Sequence, residues 1–194
     1  MIKNETQPAM NCLTVVLVAT VVISFLAGCT SHLFDGSLRD FSLRQMLLDD
    51  IGISSRPSVQ VYMLERSPRL DPGQQANLAA YYYVGLGVDE DVTKAADLFA
   101  KAAEAGNSKA QLCLAVLYSK GQGVKQTDTE AYKWLLLAGR STDKYGKTAN
   151  ELAELLSKDL SLGRQEIARS LAETWLTQHS KPNEEKRWTD RKAN

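Results

Sequence analysis

The 194-residue sequence predicts an all-α fold, an α/α solenoid of two clear helix-turn-helix repeats and one degenerate one. Three observations carry that expectation. The phrase Tyr82-x-x-Gly85-x-Gly87-Val88 returns thirty-six residues later as Tyr118-x-x-Gly121-x-Gly123-Val124. A fixed period of this size marks a duplicated supersecondary unit that buries its apolar face only by stacking on its neighbours. The agreement extends to small and apolar positions at helical spacing, since Leu78-Ala79 answers Leu114-Ala115, Ala95 answers Ala131 and Ala102 answers Ala138. A cap-forming residue, Asp91 or Thr127, opens the second helix of each unit.

The chain begins with a different kind of segment. Leu13 to Phe25 form a largely apolar run of thirteen residues, short of the ~20 that a membrane-spanning helix needs. The run ends in Leu26-Ala27-Gly28-Cys29, which resembles a bacterial lipobox. That resemblance implies that residues 1–28 are a lipoprotein signal peptide and that Cys29 is acylated and becomes the new N-terminus. Thr30, where an aspartate would signal retention, points by the same resemblance to the outer membrane of a Gram-negative host, with the protein facing the periplasm. Residues 29–71 then form a linker and N-terminal capping segment. Phe41 to Ile51 reads as a short helix stopped by Gly52. Pro57 to Glu65 reads either as a helix begun at Ser55 or as an exposed strand. Val59, Val61 and Met63 alternate, but Tyr62 and Leu64 break the alternation, and a helix would cover the open end of the first repeat.

The repeat region spans residues 72–178. Asp71-Pro72-Gly73 starts a helix with a capping carboxylate and a proline at the first helical position, where no donor is needed. That helix runs to about Val84, with Leu78, Ala79 and Tyr82 on one face. Gly85-Leu86-Gly87 then reverses the chain. In the second unit Thr127-x-x-Glu130 reads as a capping box. The second helices carry stripes of helical period, Ala95, Leu98, Phe99 and Ala102 in one copy and Ala131, Trp134, Leu135 and Ala138 in the other. Gly106-Asn107 and Gly139 read as helix stops, with Lys101 and Arg140 near the negative helix ends they suit. In the degenerate third unit Ala149, Leu152, Ala153 and Leu156 predict one amphipathic helix, and Ile167, Ala168, Leu171 and Trp175 another, joined by Asp159-Leu160-Ser161-Leu162-Gly163. Residues 179–194 form a polar tail with the composition of a disordered segment.

These residues resemble the Sel-one-like repeat proteins, relatives of the tetratricopeptide arrays. The pattern is carried best by Ala110, Leu114, Ala115, Tyr118, Gly121, Gly123, Val124, Thr127, Ala131, Trp134 and Ala138. Gln74 stands where the first copy should have alanine, and the second copy ends in Ala138-Gly139 in place of the alanine pair kept as Ala102-Ala103. The resemblance implies a right-handed superhelix whose groove binds a protein or peptide. Tyr82, Gly85, Gly87, Tyr118, Gly121, Gly123 and Trp134 would be its structural positions.

Twenty-three basic residues balance twenty-three acidic ones, so no basic excess recommends nucleic acid as a partner. Cys113 reads as a small buried apolar residue, and no disulfide framework is available, unlike the cysteine-rich members that the family includes. His32 and His179 lie near no nucleophile and lack metal-ligand spacing. Asp89-Glu90-Asp91 reads as a loop run feeding the Asp91 cap, and Gly85-Leu86-Gly87 lacks the strand and third glycine of a nucleotide site. No cofactor and no catalytic residue is expected. Two functional readings result. The first is a lipid-anchored adaptor at the bacterial envelope that binds a protein or peptide. The second, implied by the cysteine-rich members, is peptidoglycan-fragment binding or a cell-wall hydrolase-like activity. A binding surface would draw on Tyr81 and Tyr83 as exposed aromatics, and packing against the preceding helix is the competing role for that pair.

Overall fold

The structure, a computed structural model, describes residues 38–51 and 56–179. The predicted signal peptide, Cys29, His32 and the polar tail beyond His179 lie outside the described residues. Among the described residues every regular element is helical. A 3₁₀ turn at Leu38–Asp40 is followed by α1 (Leu43–Ile51), α2 (Pro57–Arg66), α3 (Pro72–Val84), α4 (Val92–Glu104), α5 (Ser108–Lys120), α6 (Asp128–Ala138), α7 (Lys144–Asp159) and α8 (Leu162–His179). The chain is therefore an α/α solenoid. Helices α3, α5 and α7 are the first helices of three successive units, and α4, α6 and α8 the second.

The first two units are closed by the same backbone bond. Asp91 N donates to Tyr82 O at 3.0 Å, and Thr127 N donates to Tyr118 O, also at 3.0 Å. Gly85 and Gly121 end α3 and α5 in the left-handed region, at φ 72° and 69°. Where α3 crosses α4 and α5 crosses α6, Ala79, Ala95, Ala102, Ala115, Ala131 and Ala138 are all fully buried, so the helix axes approach over methyl groups. Phe99 and Leu135 fill equivalent positions beside them.

The second glycine of each pair serves the contact between units. A Cβ on Gly123 (φ +69°) would lie 2.6 Å from the Val92 carbonyl oxygen at the start of α4, one unit earlier. A Cβ on Gly87 (φ +81°) would lie 2.5 Å from Ser58 N at the start of α2. Helix α2 therefore stands before the first unit where α4 stands before the second. The helical reading of Pro57–Glu65 holds, and its place at the end of the stack has this steric basis.

Several local expectations are corrected. The capping box forms at Asp71 and Gln74, whose side chains and backbone groups bond reciprocally at 2.8 and 3.1 Å. Thr127 makes no cap bond, because its hydroxyl turns back to Lys125 O at 3.3 Å. Asn107 opens α5, accepting from Ala110 N at 2.9 Å. Arg56, not Ser55, is the N-cap of α2, without a side-chain bond. In the third unit the connection is shorter than the expected linker, since Asp159 closes α7 and Leu162 already opens α8. The buried stripe of α8 is Gln165, Ala168 and Ala172, while Ile167 and Leu171 face outward. Gln165 sets that rotation. Its amide nitrogen donates to Ser157 O at 2.8 Å and Leu160 O at 3.0 Å, satisfying carbonyls at the end of α7. Both α7 and α8 pack on α6.

Candidate functional site

The segment Leu38–Ile51 lies along the face made by the first helices of the units. Helix α1 packs on α3, and the 3₁₀ turn packs on α5 and α7. Near its N-terminal end Arg44 Nη2 donates to Val84 O at the end of α3 (2.7 Å), and Lys120 Nζ at the end of α5 donates to Phe41 O (2.6 Å). Near its C-terminal end Asp50 meets Lys109, Lys144 and Tyr145 at the starts of α5 and α7. Helix α1 therefore runs antiparallel to the helices beneath it. Leu38, Phe41, Leu43 and Leu47 are buried by this arrangement, whereas Arg44, Gln45, Leu48 and Asp49 face solvent.

Asp50 is the polar centre of the seat. Its side chain is only 4% exposed, and it lies 3.3 Å from Lys109 Nζ, accepts from Tyr145 Oη at 2.7 Å and pairs with Lys144. Lys109, itself buried, also donates to Asn77 Oδ1 of α3 at 3.1 Å. Each unit of the array thus contributes to holding one carboxylate, through Asn77, Lys109, and Lys144 with Tyr145. Burial acts to raise the pKa of Asp50. The hydrogen bonds from Lys144 and Tyr145 and the charges of Lys109 and Lys144 outweigh it, and the carboxyl is held below the ordinary aspartate value. Tyr145 is pushed up, first by burial and then by its bond to Asp50. Burial pushes the Cys113 thiol up to about 12, which leaves it protonated and unreactive at neutral pH.

Beside the C-terminal end of α1 a cavity of about 370 Å³ opens between α1, α2 and α3, lined by Asp50, Ile51, Gln60, Met63, Asn77 and Tyr81 among others. Tyr81 and Tyr83 are therefore not an exposed aromatic pair. Both are buried, with the Tyr81 hydroxyl on Gln60 and the Tyr83 hydroxyl donating to Gln122 Oε1 at 3.0 Å. Packing against α2 and the first reversal absorbs them. Tyr82 is buried with its hydroxyl against Glu65 and Lys94, and the Lys94 ammonium lies 3.9 Å from the ring centroid. Trp134 is buried edge-on to Trp175, with ring centroids 6.2 Å apart.

Among the described residues the remaining polar side chains assemble no reactive centre. Asp91 caps α4, accepting from Lys94 N at 2.9 Å, and Glu90 pairs with Arg44 at 3.1 Å. His179 stacks on Trp175 with centroids 4.1 Å apart and reaches Glu104 at 3.5 Å. Among the described residues no three His, Cys, Asp or Glu side chains are grouped to hold a metal ion, and no helix is long and apolar enough to cross a membrane. The seat of α1 escaped the sequence reading. Two signals for it exist, a lysine at the start of α5 directly before its apolar run and two aspartates at the end of a short helix, where the helix dipole disfavours them.

Residues 75–107 and 108–143, the two clear units, each match the Sel1 repeat. Among solved structures the chain is similar to c5321, a protective antigen present in uropathogenic Escherichia coli strains that displays an SLR fold, with a TM-score of 0.59 and 23% sequence identity. The likeness covers 73% of this chain and 30% of that one, so the chain spans less than a third of the neighbour's length. No curated protein matches the sequence.

Proposed function

We propose that this protein is an interaction scaffold, held at the bacterial envelope by acylated Cys29, whose Sel1 repeat array binds a protein or peptide. One observation carries the reading. The face of α3, α5 and α7 already seats an amphipathic helix through buried leucines and a grip on one carboxylate by Lys109, Lys144 and Tyr145. Recognition of that kind uses successive turns of a ligand helix as apolar anchors and a buried charge for register. Sel1 repeats at residues 75–107 and 108–143 support the same reading, and the lipobox-like Leu26-Ala27-Gly28-Cys29 supports the anchor. Binding of peptidoglycan fragments, or a hydrolase-like activity, is the competing reading. Burial of Tyr81 and Tyr83 removes the aromatic platform it rested on, and no acid, base and nucleophile converge among the described residues.

The test places a photoreactive amino acid at Met63, which is exposed at the rim of the cavity, and at Lys125 on an exposed loop. Irradiation in the host should give a discrete cross-linked protein from Met63 and none from Lys125. Equal or absent capture at the two positions, or reproducible peptidoglycan turnover by the purified chain, would overturn the scaffold reading.

A further inference from the structure

We infer that α1 is a resident ligand of the array, and that the partner is an amphipathic helix of the same chemistry which takes its place: two leucines four residues apart, with an acidic residue three beyond the second. The inference rests on the scaffold reading and names the partner class.

Helix α1 has the properties of a bound peptide. At nine residues it is below the ~12–15 at which isolated helices become even marginal in water. Asp49 and Asp50 sit in its last turn, at the negative end of its dipole. Its helicity therefore comes from the seat. It lies as an outer layer, so its departure leaves the α3–α4 and α5–α6 pairs intact. The exposed charge pairs of the segment, Arg44 of α1 with Glu90 and Arg39 of the preceding 3₁₀ turn with Asp128, are half-exposed or more on the arginine side and hold it weakly.

The empty seat would specify its next occupant. Without α1, the slots of Leu43 and Leu47 lose their cover, and Lys109, whose side chain is 9% exposed, loses its counter-charge. A buried ammonium without a partner is strongly unfavourable, so an incoming helix must bring a carboxylate at the position of Asp50. A tethered segment competes at a high effective concentration, and a partner needs contacts that α1 lacks. The cavity of about 370 Å³ supplies them, because it adjoins the seat at Asp50 and Ile51 and is also lined by Met63, Gln60 and Tyr81. A partner that also places side chains in that space gains the contacts that α1 lacks.

The experiment uses the full chain in nonionic detergent and a fluorescein-labelled peptide of residues 37–51, followed by fluorescence anisotropy. The parent should bind the peptide weakly, because its own α1 occupies the site. A chain with Leu47→Ala and Asp50→Asn should bind it roughly tenfold or more tightly, and a peptide carrying Asp50→Asn should lose roughly tenfold or more on that chain. If the double variant loses its cooperative melt, the milder Asp50→Asn chain decides by the same comparison. A folded variant that gains no binding overturns the inference, as does equal binding of the two peptides, since the seat would then not read the carboxylate. Peptide exchange without any cross-linked protein in the host would retain the seat and sink the scaffold reading. Cross-links from Met63 without exchange would do the reverse.

Discussion

Replacing Gly123 by alanine measures how strongly one repeat is bolted to the next. Two costs combine. The left-handed backbone at φ +69° costs a residue with a Cβ about 1–2 kcal/mol. The new Cβ would also stand 2.6 Å from the Val92 carbonyl oxygen and 3.1 Å from Ala96 Cβ. The nearest obstacle is backbone at the start of α4, which cannot rotate away, so the junction must open, at about 1–3 kcal/mol for an overpacked contact. The sum is about 2–5 kcal/mol. Gly106 supplies the control. Its φ is +85°, yet a Cβ there meets nothing within 4 Å, so Gly106→Ala carries the backbone cost alone. Urea unfolding followed by far-UV circular dichroism gives both values. Gly123→Ala should be less stable than Gly106→Ala by about 1–3 kcal/mol, a further loss of roughly 2–10 °C in melting temperature for a chain of this size. Equal destabilisation of the two variants would refute the idea that the second glycine exists for the unit-to-unit approach.

Asp50 makes stability pH-dependent in a defined direction. Its carboxyl is depressed in the folded chain, so its contribution is complete above the ordinary aspartate value of ~3.9 and is lost as pH falls through the lower folded value. Asp50→Asn should lower the unfolding free energy at neutral pH and flatten its fall below about pH 4; an acid limb as steep as the parent's would contradict the assignment. Glu65 and Asp143 are depressed too, so part of that limb will remain. Cys29→Ser should move the protein out of the membrane fraction, because stable anchoring needs more than one acyl chain; a variant that stays with the membrane at the processed mass would exclude lipidation there. Tyr82→Ala and Trp134→Ala should each cost about 3–5 kcal/mol in urea unfolding, as large core truncations do, and parent-like stability would place both rings outside the core.

What was legible in the sequence is what local residues decide. The first glycine of each pair and the alanine stripes act within one unit, and both clear units repeat them, while the Asp91 cap acts within the first. Thr127-x-x-Glu130 matched a capping pattern, yet a cap is a choice of rotamer, and the threonine hydroxyl had Lys125 O within reach. Helix α8 offered Ile167 and Leu171 as core residues by hydrophobicity. Its rotation is set instead by polar satisfaction, since the carbonyls ending α7 needed the Gln165 amide. The seat of α1 was hidden for a different reason. Asp50 and Tyr145 are 95 residues apart, and no periodicity links a short helix to the face of three others. For Tyr81 and Tyr83 the sequence leaves exposure and packing open, and α2 and Gln122, from elsewhere in the chain, decide for packing.

The segment Leu38–Ile51 also changes how the array folds. In a stack where each unit meets only its neighbours, the ends fray separately and folding can propagate from any point. Here one segment bridges α3, α5 and α7, so the first and third units are coupled and the transition becomes closer to all-or-none. During synthesis the segment emerges first, while Lys144 and Tyr145, part of its seat, follow 94 and 95 residues after Asp50. At ~5–20 residues per second that interval is several seconds or more. For its duration Leu43 and Leu47 have no completed site, and the closing of α1 onto the array reports that all three units have been made.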